Sequence, residues 1–405
     1  MKSASGDLNA ERMIYLDNNA STKLDPEAWA AMADAAEAFG NPSSVHAEGQ
    51  RARRAIEQAR DGIGALIGAA GGEVFLTSGG TEANAMAIFG AVAGRRGRVV
   101  ISGVEHPSVR EPAARLASSG QCEVVTVDPD PSGGLDPERV LAAAIPGTLL
   151  VSVMAANNEY GGVFPVAALA PEVRRRGALF HTDAVQAAGR LPAGPDAWGA
   201  DLVSISAHKL HGPKGAGALY VRRGVSIEAR TPGGGQEKKL RAGTENTLAI
   251  VGFGAAARLA ARRQAEDAPA IARLRERLER GILERVAGAR IVGAGVERLP
   301  NTSAVAFSGV SGEALLIRLD LEGVAVSVGS ACSSGTLAPS PALLALGLSR
   351  GQAKSVVRFS LSRETTAEEI SRVLDLLPDA VAQARGLPAP VDGELAGAAG
   401  AGGRP

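Results

Sequence analysis

The sequence predicts an α/β protein, because two kinds of segment alternate between about residues 73 and 220. Seven short runs are rich in β-branched residues: EVFLTS, RVVISG, CEVVTVD, TLLVSVM, GALFHTD, DLVSISA and GALYVR. Stretches of helical character separate most of them. This alternation is typical of βαβ units, in which helices cover both faces of a mostly parallel sheet. We therefore expect a large domain built on a mostly parallel seven-stranded sheet.

The C-terminal third predicts a smaller α+β domain. An amphipathic helical run extends from Gly254 to about Val286. Strand-like segments follow it: ARIVGAG, TSAVAFSGV, VAVSVG and SVVRFSLS. Two more helices are expected around Glu313–Leu321 and Thr366–Gln383.

These patterns divide the chain into four parts. We expect the large domain at residues 26–260 and the smaller domain at residues 261–385, with the N-terminal segment 1–25 joining the smaller domain. Residues 386–405 are rich in Gly, Ala and Pro, which favours a disordered tail.

Composition argues against several classes of protein. Lys plus Arg number 43 and Asp plus Glu number 43, so the formal net charge is zero and does not indicate a nucleic-acid partner. Two cysteines, Cys122 and Cys332, make no disulfide framework and favour a reducing compartment. The sequence has neither an uncharged apolar stretch of about 18 residues nor the apolar segment of a signal peptide. We expect a cytoplasmic protein without a membrane partner.

The segment SISAHKLHGPKG, residues 204–215, carries the first candidate site. A predicted strand brings Ser206, His208 and Lys209 to its carboxyl end, where open α/β sheets bind ligands. A lysine there can form a Schiff base with an aldehyde if its pKa is lowered. Most lysines are exposed, so this segment alone favours a surface lysine. Lys214 is the nearby rival.

Two more strand ends strengthen the catalytic interpretation. Asp183 follows the predicted strand GALF, and a carboxylate beside a pyridine nitrogen keeps that nitrogen protonated. Alone, Asp183 is more simply read as a helix N-cap. In EVFLTSGGTEAN a strand leads through Gly79-Gly80 into a helix that opens at Thr81, an arrangement that binds phosphate.

Together these motifs resemble the NifS/IscS-like cysteine desulfurases, which belong to the class V aminotransferases of pyridoxal-phosphate (PLP)-dependent transferase fold type I. The resemblance covers roughly residues 13–385. It is carried by YLDNNAST, GNPSSVH, FLTSGGTEAN, VEHPSV, NNEYGG, FHTDAVQ, SISAHKLHGPKG, GGGQEKKLRAGTEN, GSACSSG and VVRFSLSRETT, in that order.

The resemblance implies a role for each residue around the cofactor ring. Lys209 would be the Schiff-base lysine and the base that removes the substrate Cα proton. His106 would stack on the ring and shuttle protons, which makes it a catalytic as well as a cofactor-binding residue. Asp183 would pair with the ring nitrogen, and Gln186 would donate to the phenolic oxygen.

It also implies how the phosphate and the substrate are held. The phosphate would be held by Gly80, Thr81, Ser206 and His208. Thr244 would reach the phosphate from a second subunit, which implies a homodimer. Asn158 and Arg358 would grip the carboxylate of L-cysteine, which suits the forked geometry of a guanidinium.

Cys332 distinguishes this chain from simple aminotransferases. It lies among Gly, Ser and Ala in SVGSACSSGTLAPS, a composition that favours a mobile loop at about residues 328–340. The resemblance implies that its thiolate takes sulfur from L-cysteine as a persulfide and leaves L-alanine. Cys122 opens an apolar strand and is expected to be a buried small residue.

Three questions stay open at this point. A selenocysteine lyase or an aminotransferase would use the same fold. A non-catalytic iron–sulfur scaffold would normally need four cysteine ligands, and this chain has two. No metal is therefore expected to be bound by the chain itself, although Cys332 would be the residue to contact an acceptor iron–sulfur cluster. The acceptor protein could serve nitrogenase clusters, general iron–sulfur assembly or tRNA thiolation.

Overall fold

Strands and helices alternate along the part of the chain that the computed structural model describes, residues 13–192, 198–329 and 338–385. The strands are β1 (Ile14–Tyr15), β2 (Val74–Thr77), β3 (Gly97–Ser102), β4 (Cys122–Val127), β5 (Thr148–Ser152), β6 (Leu179–Asp183), β7 (Leu202–Ser206), β8 (Gly217–Val221), β9 (Ala289–Ile291), β10 (Thr302–Phe307), β11 (Val324–Ala325), β12 (Ser327–Val328) and β13 (Val356–Ser360). The predicted tail, 386–405, and residues 330–337 of the predicted cysteine loop lie outside the described residues.

The helices complete the pattern. They are α1 (Pro26–Ala35), α2 (Ala47–Leu66), α3 (Gly80–Val92), α4 (Pro107–Ser118), α5 (Pro137–Ala143), α6 (Val166–Arg175), α7 (Thr247–Arg285), α8 (Gly312–Leu321), α9 (Pro341–Ala345), α10 (Arg350–Lys354) and α11 (Ala367–Arg385). None of the helices in the described ranges is both long and apolar enough to cross a bilayer.

The seven predicted strands β2 to β8 form one sheet in the order β2-β8-β7-β6-β5-β3-β4. Strands β3 to β7 pair in parallel, whereas β8 runs antiparallel to both of its neighbours. The predicted α/β fold with a mostly parallel seven-stranded sheet is therefore confirmed. The carboxyl ends of β3, β5, β6 and β7 meet at one edge of this sheet.

Helices cover both faces of the large sheet. Alternate residues of β3 belong to different apolar clusters: Val99 and Ile101 pack with α3 and α4, and Val100 packs with α2 and α6. Burial on both faces explains why the central strands read as continuous apolar runs instead of alternating patterns. The sheet is thus a rigid platform for whatever its carboxyl edge carries.

The C-terminal part contains a second, antiparallel sheet in the order β12-β13-β10-β9. Its own apolar cluster includes residues of α7, α8 and α11. Helix α7 is continuous over 39 residues and runs through residue 260, the predicted domain boundary. The division at 26–260 and 261–385 stays a prediction.

The N-terminal segment contacts both sheets. Strand β1 pairs in parallel with β11, and Asp17 bridges to Ser360 at the end of β13. Further on, the backbone N–H groups of Thr22 and Asp25 donate to the carbonyls of His208 and His211, just beyond β7. Residues 13–25 therefore lie across the carboxyl edge of the large sheet.

Candidate active site

A cavity of about 330 Å³ opens at the carboxyl edge of the large sheet. Its wall contains these residues that the sequence singled out: Gly80, Thr81, His106, Asn158, Asp183, Gln186, Ser206, His208, Lys209 and Arg358. They come from six separate segments: five follow the carboxyl ends of strands in the large sheet, which parallel strands deliver to a common edge, and Arg358 comes from β13. The structure brings these side chains together; their chemical roles stay predictions.

Lys209 ends a short 3₁₀ turn, Ala207–Lys209, that follows β7 directly. Its Nζ donates to two carbonyl oxygens of the N-terminal segment, at 2.5 Å from Asn19 and 2.7 Å from Ala20. Lys214 is exposed and lies in the wall of a different cavity. Of these two lysines, Lys209 is therefore the one that faces the cluster.

Asp183 lies at the last position of β6, and two donors fix its carboxylate. Asn84 Nδ2 donates to Oδ2 at 2.7 Å, and the Val185 N–H donates to Oδ1 at 2.9 Å. The same Asn84 amide donates to Ser108 Oγ at 2.8 Å. Helices α3 and α4 thus hold the carboxylate in one orientation against the cavity.

Helix α3 begins at Gly80 on the cavity wall, and the first N–H groups of a helix have no acceptor within it. A Cβ at Gly80 would lie 2.8 Å from Val185 Cγ2, so only glycine lets the helix start approach the loop after β6. Ser206 lies beside this helix start, with its Cβ 3.5 Å from where a Gly80 Cβ would be, and its buried Oγ has no hydrogen-bond partner among the described residues. Helix dipole, free N–H groups and hydroxyl together suit an anion.

His208 completes this end of the cavity as a neutral ring. Burial, reinforced by the positive charges of Lys209, Lys214 and Arg190, lowers the pKa of His208 to about 4. Its Nδ1 lies 3.3 Å from Ser21 Oγ. A neutral imidazole can still donate one hydrogen bond to an anion.

Arg358, on β13, brings a guanidinium to the wall of the cavity. Its Nη2 donates to Asp17 Oδ1 at 2.7 Å, and its Nη1 donates to the Asn158 carbonyl at 2.9 Å. Its Nε has no hydrogen-bond partner among the described residues. The side chain is therefore held in place while part of its fork stays available to a carboxylate.

His106 is the N-cap of α4, where its Nδ1 accepts from the Ser108 N–H at 3.1 Å. Burial lowers the pKa of His106, and the positive charges of Lys209 and Arg110 act in the same direction against the opposing effect of Asp183. Nδ1 is thus occupied by the cap, and a largely neutral ring faces the cavity.

One predicted residue of the described chain lies apart from this wall. Thr244 is exposed and does not line the cavity. Cys332 falls outside the described residues. Cys122 is buried at the start of β4, as expected for a packing residue. In the described part of the chain, no group of three or more His, Cys, Asp or Glu could hold a metal ion.

From the sequence, no role is assigned to three residues that hold the candidate site residues in place: Asp17, Asn19 and Asn84. Asn19 accepts from Lys209 and Gln186 through its carbonyl, and its side chain donates to Thr302 Oγ1 at 2.8 Å. Asp17 and Asn84 were likewise given no role. The motif YLDNNAST did signal Asp17 and Asn19, but their partners lie far away along the chain.

Comparisons with known proteins agree on one family. The aminotransferase class-V family model matches residues 14–373. A curated relative, the cysteine desulfurase of Cereibacter sphaeroides, is 48% identical over 378 residues, which are 92% of this chain and 97% of the relative.

Solved structures are similar over the same range. A NifS-like protein superposes with a TM-score of 0.85 at 33% identity, covering 92% of this chain and 100% of that protein. SspA in complex with cysteine superposes with a TM-score of 0.77 at 31% identity, covering 87% of this chain and 100% of SspA.

Proposed function

This chain belongs to the aminotransferase class-V family and is a cysteine desulfurase, and on that premise we propose that the cavity at the carboxyl edge of the large sheet is its active site. The observation that carries the proposal is the position of Lys209, whose amine lies in the same cavity wall as Asp183 and the start of α3. The substrate is L-cysteine, and the cofactor is pyridoxal phosphate, a property of this family.

The cavity fits pyridoxal phosphate on chemical grounds. Donors for a phosphate at one end are the start of α3, His208 and the Ser206 hydroxyl, which has no partner in the part of the chain that the structure describes. The fixed carboxylate of Asp183 offers an acceptor for a protonated ring nitrogen at the other. Lys209 supplies the amine that would hold the aldehyde carbon. When bound, the cofactor withdraws electrons from the Cα of an amino acid.

Each side chain around the cofactor would then have its own role. Lys209 would remove the Cα proton, since its amine is freed when the substrate amine takes its place. Asp183 would keep the ring nitrogen protonated, and Gln186 would donate to the phenolic oxygen. His106, neutral because of its burial, would stack on the ring and relay a proton.

Substrate orientation would come from Arg358 and Asn158. Because Asp17 and the Asn158 carbonyl already hold the guanidinium, the carboxylate of L-cysteine would meet a fixed fork with little loss of side-chain entropy. The amino acid would then lie with its Cα toward Lys209.

Sulfur transfer is assigned to Cys332. Its thiolate would attack the substrate sulfur, so that an S–S bond forms while the Cβ–S bond breaks. The electron pair that stays on carbon takes up a proton, and the products are L-alanine and a persulfide on Cys332. No external oxidant is needed, because the carbon that loses sulfur is the atom reduced.

A homodimer is proposed from four exposed apolar side chains. Trp29, Phe39, Val45 and Leu248 are 61%, 80%, 89% and 41% exposed, respectively, on α1, the segment before α2, and the start of α7. Apolar surface of this kind marks protein–protein contacts. Thr244 lies four residues before Leu248 and is exposed, which suits a residue that reaches the partner's phosphate site.

The outer sulfur of the persulfide would pass to an iron–sulfur scaffold or another sulfur-acceptor protein. In each case a thiol would attack this outer sulfur. We place this chemistry in the cytoplasm, because free thiols persist in reducing compartments.

The Cys332→Ser variant tests the proposal. It should bind the cofactor and L-cysteine as the wild type does but release no sulfide in the presence of a thiol reductant, since a hydroxyl cannot accept sulfur. Sulfide and alanine would be measured together, with selenocysteine as a parallel substrate to distinguish a selenocysteine lyase. Cys122→Ala is the matched control and should keep wild-type turnover. Desulfuration by Cys332→Ser at the wild-type rate would show that another group takes the sulfur.

A further inference from the structure

Gln186 lies between the cavity and a partly buried arginine behind it. Its Nε2 donates to the Asn19 carbonyl at 3.0 Å, and its Oε1 accepts from Arg190 Nη1 at 2.5 Å. Arg190 also donates to the Gln186 backbone carbonyl at 2.9 Å and to the Lys209 carbonyl at 3.3 Å. The arginine thus contacts two of the segments that carry the proposed cofactor ligands, the one after β6 and the one after β7.

The chemistry of these partners fixes which way the amide points. A guanidinium has donors only, so it must face the amide oxygen, and a carbonyl has acceptors only, so it must face the NH₂ group. The NH₂ group has a second N–H besides the one given to Asn19, and Gln186 is part of the cavity wall. Without Arg190, of these two contacts only the one to the Asn19 carbonyl would be left to fix the orientation of the amide.

We propose that Arg190 is a positioning residue: it holds the Gln186 amide with its NH₂ group toward the cavity and so sets how strongly the site stabilises a negative oxygen on the bound ring. The inference rests on the proposed function and deepens it, because it assigns a control of the cofactor's acidity to a residue outside the cavity wall.

The positive charge of Arg190 also favours a negative oxygen on the bound ring. All of the acceptors that the structure gives for it among the described residues are uncharged. The nearby carboxylates are engaged elsewhere: Asp17 with Arg358, Asp25 with Arg363, and Asp267 with Arg263. Its positive charge is therefore not neutralised by a direct partner.

Burial, together with the positive charge of Arg358, lowers the pKa of Arg190 to about 10. This value is still well above neutral pH, so the side chain stays a cation and a donor. Other titratable or charged groups face this region from the neighbouring elements: Lys209, His208, His211, Arg358, Arg363, Asp183 and Asp267. The variants below leave all of them unchanged.

The test is a pH titration of the visible absorption of the cofactor-loaded protein. The group that absorbs is the bound cofactor, which is called the chromophore below. A cation and a fixed donor near the ring oxygen favour the more negative, deprotonated form of the chromophore. Arg190→Met should therefore raise the pKa of the chromophore by about one unit. Arg190→Lys keeps a cationic donor and should return the pKa most of the way to the wild-type value. Arg175→Met, on the exposed face of α6, is the matched control and should titrate as the wild type does.

A double-mutant cycle separates positioning from a general loss of stability. If Arg190 acts through the amide, Arg190→Met should shift the chromophore pKa less in a Gln186→Leu background than in the wild type. Equal shifts in both backgrounds, or no shift at all in Arg190→Met, would overturn the inference. A wild-type protein without visible cofactor absorption would instead overturn the proposed function, so the two failures are distinguishable.

Discussion

The two ends of the cavity differ in how completely the protein has satisfied their polar groups. At the end near Asp183, each carboxylate oxygen has a donor, and Gln186 is held on both sides. At the end near α3, the helix N-terminus faces the cavity, and the buried Ser206 hydroxyl has no partner among the described residues.

This difference indicates two separate tasks. Groups that are fixed by the protein can impose a charge distribution on a ligand without reorganising, which is what catalysis requires. Groups that keep hydrogen-bonding capacity for an anion contribute binding free energy, because a buried donor left unmatched is costly. We therefore expect substitutions at the Asp183 end to impair turnover and substitutions at the α3 end to impair cofactor retention.

The largest effect is expected at Lys209, the proposed base and cofactor-binding residue. Lys209→Ala should lower turnover by about 10⁴-fold or more, because it removes both the amine that holds the cofactor and the base. The absorbance of the lysine-bound cofactor should disappear in a spectrum at neutral pH. Lys214→Ala, an exposed neighbour, is the control and should keep both. Retained absorbance in Lys209→Ala would make Lys214 the candidate.

Asp183→Asn should come next. The amide cannot keep a ring nitrogen protonated, so turnover should fall on the order of 10²- to 10³-fold while the cofactor stays bound. Steady-state kinetics and equilibrium dialysis of the cofactor would measure the two quantities. Asp201→Asn, which removes a buried carboxylate at the amino end of β7, should change thermal stability but not turnover per bound cofactor.

Ser206→Ala should have the smallest effect of the three substitutions. In contrast to Asp183→Asn, it should impair cofactor retention and leave turnover close to wild type. Loss of one hydrogen bond to a charged phosphate should weaken cofactor retention by about tenfold, with turnover of the saturated enzyme close to wild type. Ser303→Ala is a matched control, since its buried hydroxyl also has no hydrogen-bond partner within the described ranges but lies in β10. A loss of turnover without a loss of retention would contradict the division of tasks.

Much of this site could be predicted from local sequence. Asp183, Ser206 and Lys209 each follow an apolar run, and parallel strands bring such positions together. The antiparallel direction of β8 can also be predicted from the sequence. Ten residues separate Ser206 from Gly217, and a crossover between parallel strands needs a dozen or more.

Other features left no local signal. The pair of Arg358 and Asp17 joins residues 341 positions apart, and the acceptors of Lys209 are backbone carbonyls, which any residue type supplies. Helix α7 begins at Thr247, earlier than the Gly254 predicted from apolar spacing, because Asn246 caps it by accepting from the Ala249 N–H. An asparagine N-cap is visible in sequence and would have placed the start correctly.

The N-terminal segment has a consequence for how the protein is made. Residues 13–25 leave the ribosome early, whereas their partners in β11 and β13 are translated near the end; Asn18 and Ser360, for example, are bonded across 342 positions. Until those strands exist, the Asn19 carbonyl that receives Lys209 is not held in place. Contacts of such long sequence separation form slowly. We therefore expect a nascent chain released before residue 356 to carry a formed large sheet but to capture its cofactor poorly.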